Sequence, residues 1–117
     1  MTKTILLVDD EADVRQSVQA VLESNGYKVI AAENGDQAMA KLRTAKPDLI
    51  LLDIMMPGMP AKEVVARIKD VKIAYLSVVR VSEAEREELL GHPNVVDFIT
   101  KPFELDDLLR RIKKILK

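Results

Sequence analysis

The 117-residue sequence contains no cysteine and no tryptophan, one histidine, and only two tyrosines and two phenylalanines. The absence of cysteine excludes disulfide frameworks, thiol catalysis and cysteine zinc sites, and His92 alone cannot build a histidine-rich metal site. So few aromatic rings also argue against a surface that stacks on nucleic acid bases. The chain is still long enough to bury a core without cross-links, so we expect one domain over residues 1–117.

Acidic and basic side chains nearly balance, with 18 Lys and Arg against 19 Asp and Glu and a formal net charge of −1. Neutralising nucleic acid phosphates needs a surplus of basic residues, so we expect no direct nucleic acid binding. The N-terminal segment reaches carboxylates at Asp9 after a short apolar run, which suits neither a signal peptide nor a membrane span. We therefore expect a cytoplasmic protein that does not bind membranes.

Short apolar runs rich in Ile, Leu and Val alternate with segments of helical periodicity. Strands are predicted at 5–8, 28–32, 49–52, 73–79 and 95–99. Helices are predicted at about 14–22, through 38–42, over 61–68 and 82–90, and through 105–116, with stop signals at Asn25, Gly26 and Gly91. Continuous apolar strands that alternate with helices are typical of a parallel sheet covered on both faces.

The predicted fold class is therefore α/β, a flavodoxin-like (βα)5 three-layer sandwich whose five-stranded parallel sheet has the order 2-1-3-4-5. In that order the first and third strands are neighbours, and ligands bind where their carboxyl ends meet. Asp9 and Asp10 follow the first strand and Asp53 follows the third, so we expect these carboxylates at one sheet edge. Lys101, after the fifth strand, and Ser77, near the end of the fourth, would reach the same edge.

Three carboxylates in one crevice need a counter-charge, because like charges about 5 Å apart repel by roughly 3 kcal/mol at an effective dielectric near 20. Magnesium relieves such repulsion, since it prefers oxygen ligands and typically combines a few carboxylates with a phosphate oxygen. The pattern thus predicts Mg²⁺ as a cofactor.

Over its whole length the chain resembles the receiver domains of two-component response regulators, of the stand-alone, chemotaxis-regulator type. The matching segments are ILLVDDE at 5–11, ENGDQAMAKL at 33–42, PDLILLDIMMPGM at 47–59, the hydroxyl of Ser77, and DFITKPF at 97–103. Several of these segments are weak signals when taken singly, but together, in this order and spacing, they are highly specific.

The resemblance implies that Asp53 is the phosphoacceptor, whose carboxylate attacks the phosphorus of a phosphohistidine. Asp10 and Asp53 would bind Mg²⁺ directly, Asp9 would hold a metal-bound water, and the backbone carbonyl of Met55 would supply a further ligand. Lys101 would help to neutralise the transferred group.

The resemblance also implies a signalling switch. Ser77 would bond a phosphoryl oxygen, Phe98 would rotate inward behind it, and the fourth helix, fifth strand and last helix would form the output face. The partners would be a sensor histidine kinase or phosphotransfer protein and a downstream effector, and the protein would be a monomer or a weak dimer through the output face. Such a domain catalyses its own phosphorylation and dephosphorylation but acts mainly as a switch, so we leave open whether to class it as an enzyme. Because the last helix ends at Lys117, we expect no output domain in this chain.

Other interpretations of the same residues stay open from the sequence alone. The acids at 9–11 are also typical of a helix N-terminus, and Asp53 is also typical of a turn at the end of a strand. Lys101 could be an ordinary solvated charge, and Ser77 an ordinary hydrogen-bonded hydroxyl. Phe98 is equally consistent with a side chain of the hydrophobic core, and His92 with a loop residue. Met55, Met56 and Met59 are typical of side chains that fill gaps in a loop or core.

Rival functions fit less well. In a flavodoxin-type electron carrier, the acids at 9–11 would repel the phosphate of the flavin. A P-loop nucleotidase would need the motif G-x-x-x-x-G-K-[ST], which does not occur. An aspartyl-phosphate phosphatase would need a second acid in a D-x-D motif, which Asp53-Ile54-Met55 lacks. The alternative function is a receiver-like protein interaction module that acts without phosphorylation.

Val78 follows Ser77 where receiver domains mostly have a small residue, so we expect access to Asp53 to be narrowed and its phosphoaspartate to hydrolyse slowly. The half-life of the phosphorylated protein should therefore shorten in Val78→Ala, and an unchanged half-life would contradict the expectation. Two further features depart from the family pattern. Pro60 and Ala61 stand where receiver domains usually have Asp-Gly, so we expect the loop after Met59 to differ in geometry. Phe98 lacks the hydroxyl that many relatives carry at this position.

Overall fold

The computed structural model describes residues 2–54, 58, 61–68, 70–77 and 82–117. Its strands are β1 (Thr4–Val8), β2 (Lys28–Ala32), β3 (Leu49–Asp53), β4 (Lys72–Ser77) and β5 (Val95–Thr100). Its helices are α1 (Ala12–Ser24), α2 (Gly35–Leu42), α3 (Ala61–Ala66), α4 (Glu83–Leu90) and α5 (Leu105–Ile115). In these ranges no helix has both the length and the apolar character needed to cross a bilayer.

All five strands pair in parallel in the order β2-β1-β3-β4-β5, which confirms the predicted fold class. The register places Val8 beside Leu52, and Asp53 beside Leu76. Ser77, the last residue of β4, pairs with Thr100 at the end of β5. The carboxyl ends of β1, β3, β4 and β5 therefore meet along one edge of the sheet.

The side chains of each strand alternate between two buried layers. One layer joins residues of α1 and α5 to the sheet, and its fully buried members include Ile5, Leu7, Leu49, Leu51, Leu22 and Ile112. The other joins α2 and α3 to the opposite face, with Leu6, Val8, Ile50, Leu52, Ala38 and Val64. Because helices cover both faces, the inner strands β1, β3 and β4 carry nearly continuous apolar sequences instead of an alternating pattern.

The first helix ends as predicted at Asn25 and Gly26. The amide of Gly26 donates to the carbonyl of Glu23, and the amide of Tyr27 donates to the carbonyl of Leu22, which is the paired bonding of a Schellman motif. Gly26 has φ +89°, a left-handed conformation that suits a residue without Cβ.

Several element ends differ from the predicted bounds. Strands β1, β4 and β5 include Thr4, Lys72 and Thr100, polar residues whose backbones pair with neighbouring strands. The predicted continuation of β4 to Val79 lies outside the described residues. Helix α3 ends at Ala66 instead of 68, because the amides of Arg67 and Ile68 donate to carbonyls three residues earlier, which tightens the last turn.

Candidate functional site

The buried polar and charged residues in the described part of the chain gather at the carboxyl edge of the sheet. They are Asp9 (0% exposed), Asp53 (3%), Ser77 (0%) and Lys101 (7%). Asp9 follows β1, Asp53 and Ser77 end β3 and β4, and Lys101 follows β5. Buried charges are rare in proteins unless they are paired, so this placement needs a local explanation.

Lys101 supplies the counter-charge of the site. Its Nζ lies 2.6 Å from Asp9 Oδ2, 3.3 Å from Asp53 Oδ2 and 3.3 Å from Glu11 Oε1. Its backbone amide donates to the carbonyl of Ser77 at 2.6 Å, which ties the residue to the end of β4. Burial acts to lower the pKa of Lys101, but hydrogen bonds and Coulombic attraction from Asp9 and Asp53 outweigh it and raise the pKa above its ordinary value of 10.5.

Asp9 is held by both its backbone and its side chain. Its amide donates to Ala32 at 3.1 Å, its Oδ1 accepts the Glu11 amide at 2.9 Å, and its carbonyl accepts Arg15 Nη1 at 2.7 Å. A solvated helix N-terminus would not bury this carboxylate completely, so the bonds to Asp9 favour a site over a simple cap. Arg15 belongs to none of the sequence motifs and was not predicted as part of the site.

The acidic cluster contains one more member than predicted. Carboxylate oxygens of Asp9, Asp10, Glu11 and Asp53 all lie within 4.8 Å of one another. Glu11 belongs to the acidic motif at 9–11 but was not predicted as a site residue. Its adjacency to Asp10 was the available signal, but its contact with Lys101 depends on the side-chain conformation.

These residues fit a hard divalent cation. All four side chains of the cluster offer oxygen atoms, the ligands that Mg²⁺ prefers, and Asp10 and Glu11 are exposed while Asp9 and Asp53 are buried. With one ammonium against four carboxylates, the cluster keeps an excess of negative charge that a cation would offset. Met55, the predicted source of a backbone ligand, lies outside the described residues, as do Val78 and Pro60.

Ser77 lies on β4, the strand next to Asp53, and Phe98 lies one strand further away, on β5. Ser77 is fully buried at the end of β4, the neighbour of β3. Phe98, on β5, is partly buried against the α2/α3 layer, and its ring centroid lies 6.1 Å from that of Tyr75 at an interplanar angle of 56°. Burial raises the pKa of Tyr75 to about 12, so this ring stays uncharged at neutral pH.

Comparison with known proteins identifies the family. The family model described as the response regulator receiver domain matches residues 5–113. The chain belongs to this family. It is a receiver domain of two-component response regulators, as the sequence motifs predicted.

Individual relatives agree with this assignment. The receiver domain is 37% identical to the alkaline phosphatase synthesis transcriptional regulatory protein PhoP of Bacillus subtilis, covering 100% of this chain and 50% of PhoP. It is 36% identical to the chemotaxis protein CheY of the same organism, over 99% of both chains. It thus spans about half the length of some curated relatives that it matches and nearly the full length of another.

A solved structure of a relative supports the fold. The response regulator TrrA of Thermotoga maritima, crystallised in complex with Mg²⁺ and BeF, is 35% identical to this receiver domain. The two superpose with a TM-score of 0.82, covering 97% of this chain and 99% of TrrA.

Proposed function

We propose that this receiver domain accepts a phosphoryl group on Asp53 in a magnesium-dependent reaction. The observation that carries the proposal is the position of the Asp53 carboxylate, which is buried at the end of the central strand with one oxygen 3.3 Å from Lys101 Nζ. This carboxylate also lies within the cluster of acidic oxygens that fits a cation. A nucleophile, a fixed positive charge and cation ligands are the parts that phosphoryl transfer requires.

Asp10 and Asp53 would hold Mg²⁺ directly, Asp9 would hold a metal-bound water, and the carbonyl of Met55 would add a further ligand. When bound, the cation would offset negative charge on the phosphoryl oxygens and on the attacking carboxylate. Lys101, already beside Asp9 and Asp53, would donate a hydrogen bond to a phosphoryl oxygen, and Ser77 would donate another.

The transfer itself exchanges one bond for another. A carboxylate oxygen of Asp53 attacks the phosphorus of a phosphohistidine, an O–P bond forms, and the P–N bond breaks with its electron pair left on the imidazole nitrogen. The proposed donor is therefore a sensor histidine kinase or a phosphotransfer protein.

The phosphoryl group would then act through β4 and β5. Ser77 and Lys101 would turn toward it, and Phe98 would move into the space behind Ser77, so that α4, β5 and α5 form the output face. Helix α4 suits a movable element because its described side chains are exposed. A downstream effector protein would dock on this face. We further propose a cytoplasmic monomer or weak dimer through the same face, with no direct nucleic acid binding by the domain itself.

Incubation with acetyl phosphate and Mg²⁺ should add one phosphoryl group to the wild-type protein, and none when EDTA is present. Intact-protein mass spectrometry measures the modification. In the same samples, amide NMR spectra should change for residues of α4, β5 and the start of α5.

Asp53→Asn is the matched control because it removes the nucleophile and keeps the side-chain size. It should show neither the mass increment nor the spectral change. Modification that persists in Asp53→Asn would move the phosphoacceptor to another residue. An unmodified wild-type protein would favour the interaction module that acts without phosphorylation.

A further inference from the structure

Arg15 connects three segments around the acidic cluster. It lies in α1, and its guanidinium donates to the backbone carbonyl of Asp9 at 2.7 Å through Nη1. Through Nη2 it reaches Glu33 Oε1, at 3.4 Å, in the loop between β2 and α2. The side chain is only 17% exposed, so most of its surface packs against the protein.

The two acids that follow β1 are held very differently. Asp9 makes hydrogen bonds through its amide, its carbonyl and both carboxylate oxygens. The carboxylate of Asp10 makes no hydrogen bond or ion pair with any residue in the described ranges, and it is exposed. The position of Asp10 therefore depends on the peptide that joins it to Asp9, whose carbonyl oxygen is the atom that Arg15 holds.

We infer that Arg15 is a positioning residue for the metal site, and that its bond to the Asp9 carbonyl fixes the Asp9–Asp10 peptide so that Asp10 points at the cation. This inference rests on the proposed function and deepens it. A planar guanidinium can contact two acceptors at once and keep both in a fixed direction, which a lysine ammonium on a flexible stem cannot do. Groups that orient metal ligands in this way typically change metal affinity strongly when they are lost.

The charge of Arg15 acts in the opposite direction. A cation near a metal site repels the metal, so loss of the charge alone would tighten Mg²⁺ binding. Lysine keeps the charge and loses the two-way contact, whereas glutamine loses the charge and keeps a single donor. These two variants therefore separate orientation from electrostatics.

Titration of the phosphate-free protein with MgCl₂, followed by the amide resonances of residues 9–13, gives the dissociation constant without any phosphorylation. Both variants release the Asp9–Asp10 peptide, so we expect the constant to rise about tenfold in Arg15→Lys, which keeps the repelling charge. In Arg15→Gln the lost charge offsets part of this effect, so the constant should rise by a smaller factor of about threefold. An unchanged constant in Arg15→Lys together with tighter binding in Arg15→Gln would overturn the inference in favour of charge alone.

Glu33→Gln is the matched control because it weakens the outer contact of Arg15 and leaves the Asp9 carbonyl contact intact. Its Mg²⁺ dissociation constant should stay within about twofold of the wild-type value, since Glu33 is exposed. If both Arg15 variants had lower melting temperatures but unchanged Mg²⁺ dissociation constants, Arg15 would have only a structural role. That result would overturn this inference and leave the proposed function standing. A wild-type protein that binds no Mg²⁺ would overturn the proposed metal site as well.

Discussion

Replacing Lys101 with methionine should destabilise the metal-free protein by about 3 kcal/mol at pH 7, since it leaves buried carboxylates without their cation. Methionine keeps most of the apolar length of the lysine stem but cannot donate to Asp9 or Asp53. The carboxylate of Asp9 is 0% exposed, so water cannot easily take over the lost interaction. Urea unfolding in the presence of EDTA measures the loss, and saturating Mg²⁺ should restore part of it.

The difference in unfolding free energy between the wild type and Lys101→Met should depend on pH in a definite direction. The pKa of Lys101 is higher in the folded protein than in the unfolded chain, so its contribution to stability is complete below about pH 10.5. That contribution is lost as the pH rises through the folded-state pKa. The unfolding free energies of the wild type and Lys101→Met should therefore converge in strongly alkaline buffer.

Lys62→Met is the control for loss of an ordinary lysine ion pair. Lys62 pairs with Glu88 between α3 and α4, and their side chains are 73% and 58% exposed. Pairs of this kind contribute little, so the control should change the unfolding free energy by less than about 0.5 kcal/mol. If Lys101→Met cost no more than Lys62→Met, the carboxylates at the sheet edge would not depend on Lys101.

The sequence predicted the fold because most strands are largely continuous apolar runs, which require cover on both faces, although Asp97 interrupts the run of β5. The βα alternation indicated a parallel sheet, and in the flavodoxin-like strand order that five such units suit, the position of the site followed from topology. Asp9 and Asp53 are far apart in sequence, yet both follow strands that pair side by side, with Val8 beside Leu52. Lys101 reached the same edge for the same reason, and the structure brings its Nζ to both carboxylates.

The features that the sequence patterns did not predict are contacts and helix ends that depend on local backbone geometry. Glu11 joins the cluster, and Arg15 reaches back to Asp9, only because the chain turns sharply between β1 and α1. No spacing rule distinguishes Arg15 from a solvated helix residue. The end of α3 was likewise predicted two residues too late, because a tight final turn leaves no signature in the apolar pattern.

Asp10→Asn should weaken Mg²⁺ binding at least about tenfold, since a neutral amide is a poorer ligand for this cation than a carboxylate. The same substitution should stabilise the metal-free protein by about 1 kcal/mol. Each pair of like charges 4.8 Å apart repels by about 0.9 kcal/mol even in bulk water, and Asp10 lies within that distance of three other carboxylates. Part of the gain is lost because Asp10 also stands before the positive end of α1.

Asp13→Asn separates these two effects, because Asp13 lies in the first turn of α1 and outside the cluster. Its removal should destabilise the protein by up to about 1 kcal/mol through the helix dipole and leave Mg²⁺ binding nearly unchanged. Opposite signs for Asp10→Asn and Asp13→Asn in urea unfolding would mean that the cluster holds uncompensated repulsion, which costs stability until a cation binds. Equal destabilisation by both variants would mean that Lys101 already neutralises the cluster. In that case the negative charge at this sheet edge would not be what draws the cation.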